Sequence, residues 1–276
     1  MIRRLWLIGC GAMAGAMLRR WIESETLAPG DVFVVNRGDR ALPAGVAQGR
    51  ACPPGPLPDA VLLGVKPQQL DEAARAHAGA LSGAPLLISI LAGVRCEAIA
   101  ARFAAGAVVR AMPNLPVAIG KGVVALEAPD ASIEARAAAE ALMRPLGLVE
   151  WVERFDLVTA LAGSGPAFLY RFIDALAVAG ARLGLPEAQA ARLALATVEG
   201  AAALAAAADV GPGALADRVA SPGGSTRKGL DVLDEDEALV RLLEQTLAAS
   251  EARNREMGVG VFRYTPSLEG NDDGET

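Results

Sequence analysis

Two glycine-rich turns hold the residues best placed to do chemistry. Gly9-Cys10-Gly11-Ala12-Met13-Ala14 directly follows the apolar run Leu5–Ile8. In a strand–turn–helix setting, Gly9 permits a tight turn, Gly11 lets backbone approach a pyrophosphate, and a small Ala14 lets the helix pack closely on the strand. Free amides and the helix dipole then face the phosphates. Far downstream, Ser221-Pro222-Gly223-Gly224 interrupts a helical stretch and Ser225-Thr226 begins the next. Unpaired amides there, with two hydroxyls, suit a small carboxylate. The pair suggests a dinucleotide held by one domain and presented to a small acid bound by another.

The elements that must position these turns are legible in outline. Val32–Val35, Ala60–Val65, Leu86–Ile90 and Val108–Val109 are apolar, β-rich runs, with helical stretches near 68–80 and 95–104 between them. Strands alternating with helices imply parallel βαβ units. A strand near 122–126, a helix near 131–144 and a strand near 147–152 complete this half. Beyond residue 153 the pattern becomes helical. Helices are expected over 166–183 with proline in the first turn, 186–207, 213–220, 225–233 and 236–257. Gly163-Ser164-Gly165-Pro166 starts the first of them, either as a hinge for close helix contact or as part of a substrate site. The domains expected are 1–153, α/β, and 154–265, all-helical, with a disordered acidic tail over 266–276.

The second strand ends in Asn36-Arg37. A carboxylate at that point would serve an NAD ribose, whereas arginine pairs with a 2′-phosphate. NADP(H) is therefore the preferred cofactor, with NAD(H) the alternative, and a merely solvated Arg37 the plain one. Lys66-Pro67-Gln68 and Met112-Pro113-Asn114 fall at carboxyl ends of strands, the edge where ligands collect in open α/β sheets. Singly each reads as a loop. Together they would line the same edge as Gly9–Met13.

Composition removes other classes. The formal net charge is −6, and no basic cluster stands out, so neither nucleic acid nor an anionic membrane is expected as a partner. Cys10, Cys52 and Cys96 have no metal-like spacing, so no metal is expected and a reduced, cytoplasmic setting is. His77 is the single histidine, which removes any mechanism that needs two histidines, and no His–Cys zinc cluster is expected. Met1-Ile2-Arg3-Arg4 before an apolar run ending at Cys10 imitates a secretion signal, but the run is shorter than the roughly 7–15 residues of a signal core. No stretch reaches the roughly 18 uninterrupted apolar residues of a span, and the Ala-rich segment 193–210 comes nearest.

In this order, the motifs resemble those of pyrroline-5-carboxylate reductases, from about Leu5 to Met257. The most specific stretches are Val158–Phe168 and Val219–Thr226, supported by Val65-Lys66-Pro67-Gln68, Ser89-Ile90-Leu91-Ala92-Gly93 and Met112-Pro113-Asn114. The resemblance implies a Rossmann-type α/β domain followed by an all-α substrate and dimerisation domain. It implies a homodimer, often assembled into a decamer. It gives the pyrophosphate to Gly9, Cys10, Gly11, Ala12, Met13 and Ala14, and the 2′-phosphate to Asn36 and Arg37. The ribose and nicotinamide would lie against Val65, Lys66, Pro67, Ala92, Gly93, Met112, Pro113 and Asn114. Ser221, Gly223, Gly224, Ser225 and Thr226 would grip the carboxylate of an imine substrate, with the Thr226 hydroxyl near its nitrogen. Leu115-Pro116-Val117 stands where the family has Thr-Pro-Ala, Ala162 where it has serine, and Ala12 where a polar residue is common. The loop Arg50-Ala51-Cys52-Pro53-Pro54 lacks a common asparagine.

The expected reaction is NADPH-dependent reduction of 1-pyrroline-5-carboxylate to proline. Another cyclic imine acid is the alternative substrate, and a non-catalytic NADPH-binding regulator the rival class. The 3-hydroxyacid dehydrogenases share the domain order but use a lysine on the helical domain, and Lys228 lies in the wrong context for that role.

Overall fold

A computed structural model describes residues 2–261, with side chains placed as far as Glu256. The expected acidic tail lies outside the described residues. The chain packs as two compact units. One runs to Gly163 and takes up the chain again from Ser250; the other is Ser164–Ala249. The division thus falls later than the change in composition near residue 153, for a reason given below.

The first unit is built on eight strands: β1 Leu5–Ile8, β2 Val32–Val35, β3 Ala47–Gly49, β4 Ala60–Leu63, β5 Leu87–Ser89, β6 Val108–Pro113, β7 Gly122–Glu127 and β8 Gly147–Trp151. Their order in the sheet is β3-β2-β1-β4-β5-β6-β7-β8. The strands from β3 to β6 are parallel, so their carboxyl ends share one edge. β1 and β4 are wholly buried, which suits the continuous apolar runs of a sheet covered on both faces. Helices α1 Ala12–Glu23, α2 Leu70–Leu81, α3 Cys96–Ala100 and α4 Ile133–Met143 supply the connections and covers. Two apolar clusters result: one centred on Leu7, Met17, Trp21 and Leu62, the other on Ile8, Leu63, Leu87 and Ile99.

β7 breaks the parallel series by running antiparallel to β6. The link between them, Asn114 to Lys121 around a 3-10 turn at Leu115–Ile119, is too short for a crossover, which needs about a dozen residues or more. β3 was not expected from the sequence. Its residues Ala-Gln-Gly have little strand propensity, and pairing with β2 imposes the conformation.

Short helix α5, Phe155–Val158, and the π-helical stretch Thr159–Gly163 belong to the sheet unit. Arg110, nearly buried, explains part of this: its guanidinium lies 3.9 Å from the centre of the Phe155 ring and pairs with Glu127 opposite it on β7 at 3.2 Å. The segment from Ser250 returns to the same place. Glu251 meets Arg154 at 3.4 Å, and the Asn254 amide donates to the Asp156 carbonyl at 3.2 Å.

The second unit is helical: α6 Gly165–Arg182, α7 Glu187–Ala207, α8 Pro212–Val219, α9 Ser225–Asp234 and the part of α10 (Ala238–Val261) up to Ala249. Pro166 stands in the first turn of α6. Gly184, with φ of +109°, ends the helix–turn before α7. α6 and α7 leave large apolar side chains uncovered, among them Leu169, Phe172, Leu193 and Leu204. Among the described residues α7 is long and apolar enough to cross a membrane by length and composition, a mean hydropathy of 1.4 over its most apolar window.

Trp21 gives a direct test of the core. It is fully buried and its indole Nε1 donates to the Leu142 carbonyl at 2.7 Å, tying α1 to α4. Trp21→Phe keeps an aromatic ring but leaves that carbonyl unpaired and part of the volume unfilled. The expected loss is about 2–4 kcal/mol, read as a lower midpoint in urea unfolding at unchanged slope. A midpoint equal to that of the parent would show that the hydrogen bond does not hold the two helices together.

Candidate functional site

The Gly9–Ala14 turn is shaped by contacts that tolerate only small groups. Gly9 has φ of +85°, and a Cβ there would stand 2.8 Å from Val65 Cγ1 and 2.9 Å from the Val65 amide nitrogen. Gly64 is equally confined: a Cβ would lie 2.6 Å from the Gly9 carbonyl and 3.0 Å from Ala14 Cβ. Ala14 is thereby the small residue that lets α1 sit against the start of the β4 loop. Gly11 caps α1 without a side-chain hydrogen bond, and a Cβ there would meet open space. The first amides of α1 therefore face outward, as an anion-binding helix start requires.

Gly9, Cys10, Gly11, Asn36, Arg37, Val65 and Lys66 all line one cleft of about 610 Å³. Asn36 has a particular place in it. Its Oδ1 accepts from the Cys10 amide at 2.8 Å, while its Nδ2 is buried with no partner among the described residues. A buried donor costs free energy until something accepts from it. This donor, the outward amides and the open face at Gly11 fit a phosphate-bearing nucleotide.

Several lining residues were not legible in the sequence: Arg40, Arg50, Gln69, Glu72, Ala76 and His77. The α2 residues among them recur at helical spacing and so share one face. Arg40 and Arg50 are joined through β3, whose Gln48 side chain holds the Arg40 backbone by two hydrogen bonds, 3.1 and 2.9 Å. Burial holds His77 below its ordinary pKa.

Other expected site residues are not among those that line this cleft. Ala12, Met13 and Ala14 form the first turn of α1. Pro67 opens a 3-10 turn over Pro67–Gln69. Ala92 and Gly93 make the turn after β5, where Gly93 has φ of +74° and the buried Ser89 hydroxyl accepts from the Leu91 amide at 3.3 Å. Met112 and Pro113 lie within β6 rather than beyond its end, because the antiparallel pairing with β7 extends that strand. Asn114 is buried and its side chain is engaged by protein: Nδ2 donates to the Ala162 carbonyl at 2.9 Å and Oδ1 accepts from the Val123 amide at 2.8 Å. It clamps the π-helical stretch to the sheet. Gly163 fits tightly there, since a Cβ would stand 3.2 Å from Met112 Cε. That contact favours the close-packing role for this glycine.

In the helical unit, Ser221-Pro222-Gly223-Gly224 forms a turn closed by a hydrogen bond from the Gly224 amide to the Ser221 carbonyl, 2.9 Å. Gly223, at φ of +73°, is the residue that such a proline-led turn needs in third place. Gly224 then caps α9 with no side-chain bond of its own. The amides of the first turn, with the exposed Ser225 and Thr226, form an open cradle of anion-binding type. Arg227 is turned to Asp217 at 2.7 Å.

The thiols are chemically quiet. Burial, with help from the Glu127 carboxylate, pushes Cys96 up to about 11, and burial also raises Cys10 and Cys52. At pH 7.5 all three should react with iodoacetamide more slowly than a free thiol, and the half-buried Cys52 first. Faster labelling of Cys96 than of Cys52, read by peptide mass, would contradict this order.

Comparison with known proteins finds likeness along nearly the whole chain. Residues 153–257 match the family described as pyrroline-5-carboxylate reductase dimerisation, and residues 4–93 the one described as NADP oxidoreductase coenzyme F420-dependent. The pyrroline-5-carboxylate reductase of Synechocystis sp. is 37% identical over 266 residues, covering 92% of this chain and 98% of the relative. Pyrroline-5-carboxylate reductase 2 of Bacillus subtilis is 30% identical, covering 96% and 100%. The structure of a pyrroline-5-carboxylate reductase from Coxiella burnetii, 31% identical, superposes with a TM-score of 0.84 over 93% of this chain and 99% of that one. With the domain match over 153–257 and this likeness along nearly its whole length, the chain belongs to the pyrroline-5-carboxylate reductase family.

Proposed function

We propose that the protein reduces 1-pyrroline-5-carboxylate to L-proline with NADPH. The observation that supports this most is the cleft at Gly9, Gly11 and Asn36, with arginines at the end of β2, in a chain that otherwise follows reductases of that name almost end to end. When bound, NADPH supplies the hydride that saturates the carbon–nitrogen double bond. The outward amides of α1 hold the pyrophosphate, and the Asn36 Nδ2 donates to the nucleotide. The cradle at Ser221, Gly223, Gly224, Ser225 and Thr226 binds the carboxylate through backbone donors. The Thr226 hydroxyl oxygen accepts from the N–H of the protonated imine, or donates to the nitrogen of the neutral one, and orients it; the protonated nitrogen is the better hydride acceptor. Asn114 acts here as a positioning residue, since its amide holds the π-helical stretch.

The match over 153–257 makes the helical region a dimerisation domain, and the chain an oligomer-former. The uncovered apolar faces of α6 and α7 support a homodimer, and a decamer is the larger assembly that the resemblance implies. The mass from light scattering after gel filtration separates the two. The same faces give α7 its apolar composition, so the helix is read as part of an interface rather than a membrane span. Three unpaired cysteines agree with a cytoplasmic enzyme.

Leu115 and Ala162 stand where the resemblance implies polar residues, and Leu115 is exposed. A six-membered cyclic imine acid is therefore the second reading of the substrate. The test is loss of NADPH absorbance with each imine supplied separately to purified protein. Turnover confined to the five-membered ring supports the proposal. Turnover confined to the six-membered ring would change the substrate and keep the chemistry. NADPH binding without turnover of either would favour the regulator.

A further inference from the structure

One face of β6 is laid along a single segment of chain. Alternation puts Arg110 and Met112 on that face, and Asn114, still extended at φ −111° and ψ 167°, continues the series. Arg110 stacks on the Phe155 ring, Met112 packs closely on Gly163, and Asn114 holds the Ala162 carbonyl. Between these points the buried Thr159 hydroxyl donates back to the Phe155 carbonyl at 2.8 Å. The segment from Phe155 to Gly163 is therefore fixed against β6 at both ends, and its second half is π-helical. That register is rare, and single π turns are found mostly at functional sites.

The same short segment also receives the returning chain. The chain passes between the two units at Gly163–Ser164 and again at Ala249–Ser250. The first passage leaves directly from the π-helical stretch. The second is followed at once by Glu251 and Asn254, which bind Arg154 and the Asp156 carbonyl, the neighbours of Phe155 on either side. Both connections are thus fastened at α5, and α5 is seated on Arg110. The Arg110 side chain is 7% exposed, and its Nε has no partner among the described residues. An ion pair buried in this way gains little stability over apolar side chains of the same volume. What it adds is direction: a planar cation, held by Glu127 on β7, gives the Phe155 ring one seat.

We infer that Arg110 is a positioning residue for hydride transfer, acting through Phe155 and the π-helical stretch on the connections between the two units. The inference rests on the reductase reading above. In that reading the sheet unit holds the nucleotide and the helical unit holds the carboxylate. Each binding event then needs one unit only, whereas the transfer of hydride needs both. Arg110 is not among the residues that line the nucleotide cleft. Loss of its seat should therefore slow the chemical step and leave NADPH binding as it was.

The test is a single turnover of the full chain. NADPH sites are first counted by titration without imine. Hydride transfer to saturating 1-pyrroline-5-carboxylate is then followed by NADPH absorbance, as a rate per site. R110M/E127Q removes both charges and keeps an apolar side chain of similar length. R110K keeps the charge opposite Glu127 and removes the planar face, and F155L removes the ring. Each should slow the step about tenfold per site at parental NADPH affinity. F155L added to R110M/E127Q should slow it no further, because the two losses share one path. A parental rate per site in R110M/E127Q overturns the positioning role, even where its melting temperature or its count of sites has fallen. Losses that multiply in the combined variant overturn it as well. Should R110M/E127Q not fold, a parental rate per site in R110K does the same. A parent protein that binds NADPH and reduces no imine would instead overturn the reductase reading.

Discussion

Gly9→Ala is expected to cost the enzyme about 100-fold in kcat/KM and to lower its thermal stability. Two effects combine. The backbone at Gly9 has φ of +85°, a region that costs an L-residue roughly 1–2 kcal/mol. The added methyl would also stand inside contact distance of the Val65 backbone and side chain, so the β1 and β4 loops must part. Gly9 donates to the Val35 carbonyl at 2.8 Å, and the next residue donates to Asn36, so a shift at Gly9 moves the whole pyrophosphate turn. Misplacing a binding loop by about 1 Å is worth about 100-fold. Ala at Gly11, with open space at its Cβ, should be far milder in stability and act on the cofactor alone. A Gly9→Ala enzyme with parental melting temperature and NADPH affinity would show that the turn has another shape in solution.

Thr226→Ala should lower the turnover number by about 10–150-fold, the value of roughly 1.5–3 kcal/mol for a hydrogen bond to a charged group. NADPH affinity, read by titration without imine, should stay at the parental value, because the residue belongs to the anion cradle on α9 rather than to the glycine turn. The residue is exposed and caps no helix, so the variant should fold as the parent does. Thr226→Ser keeps a hydroxyl and should recover most of the rate. Equal rates for alanine, serine and threonine would remove this hydroxyl from the reaction.

Much of this was legible because it is local. Leu5–Ile8 is apolar throughout since both faces of β1 are covered, and the glycine spacing after it answers to contacts with Gly64, Val65 and the Ala14 methyl. The long helices follow from period and from Pro166 and Gly184 at their ends. What could not be read depends on pairing between distant segments. Ala47–Gly49 is a strand only because β2 lies beside it. Arg40, Arg50 and His77 enter the cleft from three elements that no periodicity links. Asn114 reads in the sequence as a residue past a strand end, and only the structure shows its amide engaged by Ala162 and Val123. A buried asparagine and an exposed one are identical in the chain, and only packing separates them.

The return of the chain at Ser250 carries a consequence for synthesis. The residues that complete the sheet unit, Glu251 and Asn254, are among the last of the described chain to be made, although the unit itself begins at the first strand. Domains fold as units while the ribosome delivers them from the N-terminus. Here the helical unit is an insertion, and the sheet unit receives its last contacts only after that unit has been translated. A ribosome stalled after Ala249 would therefore hold a sheet unit whose strands and apolar clusters are all present but which lacks the partners of Arg154 and of the Asp156 carbonyl.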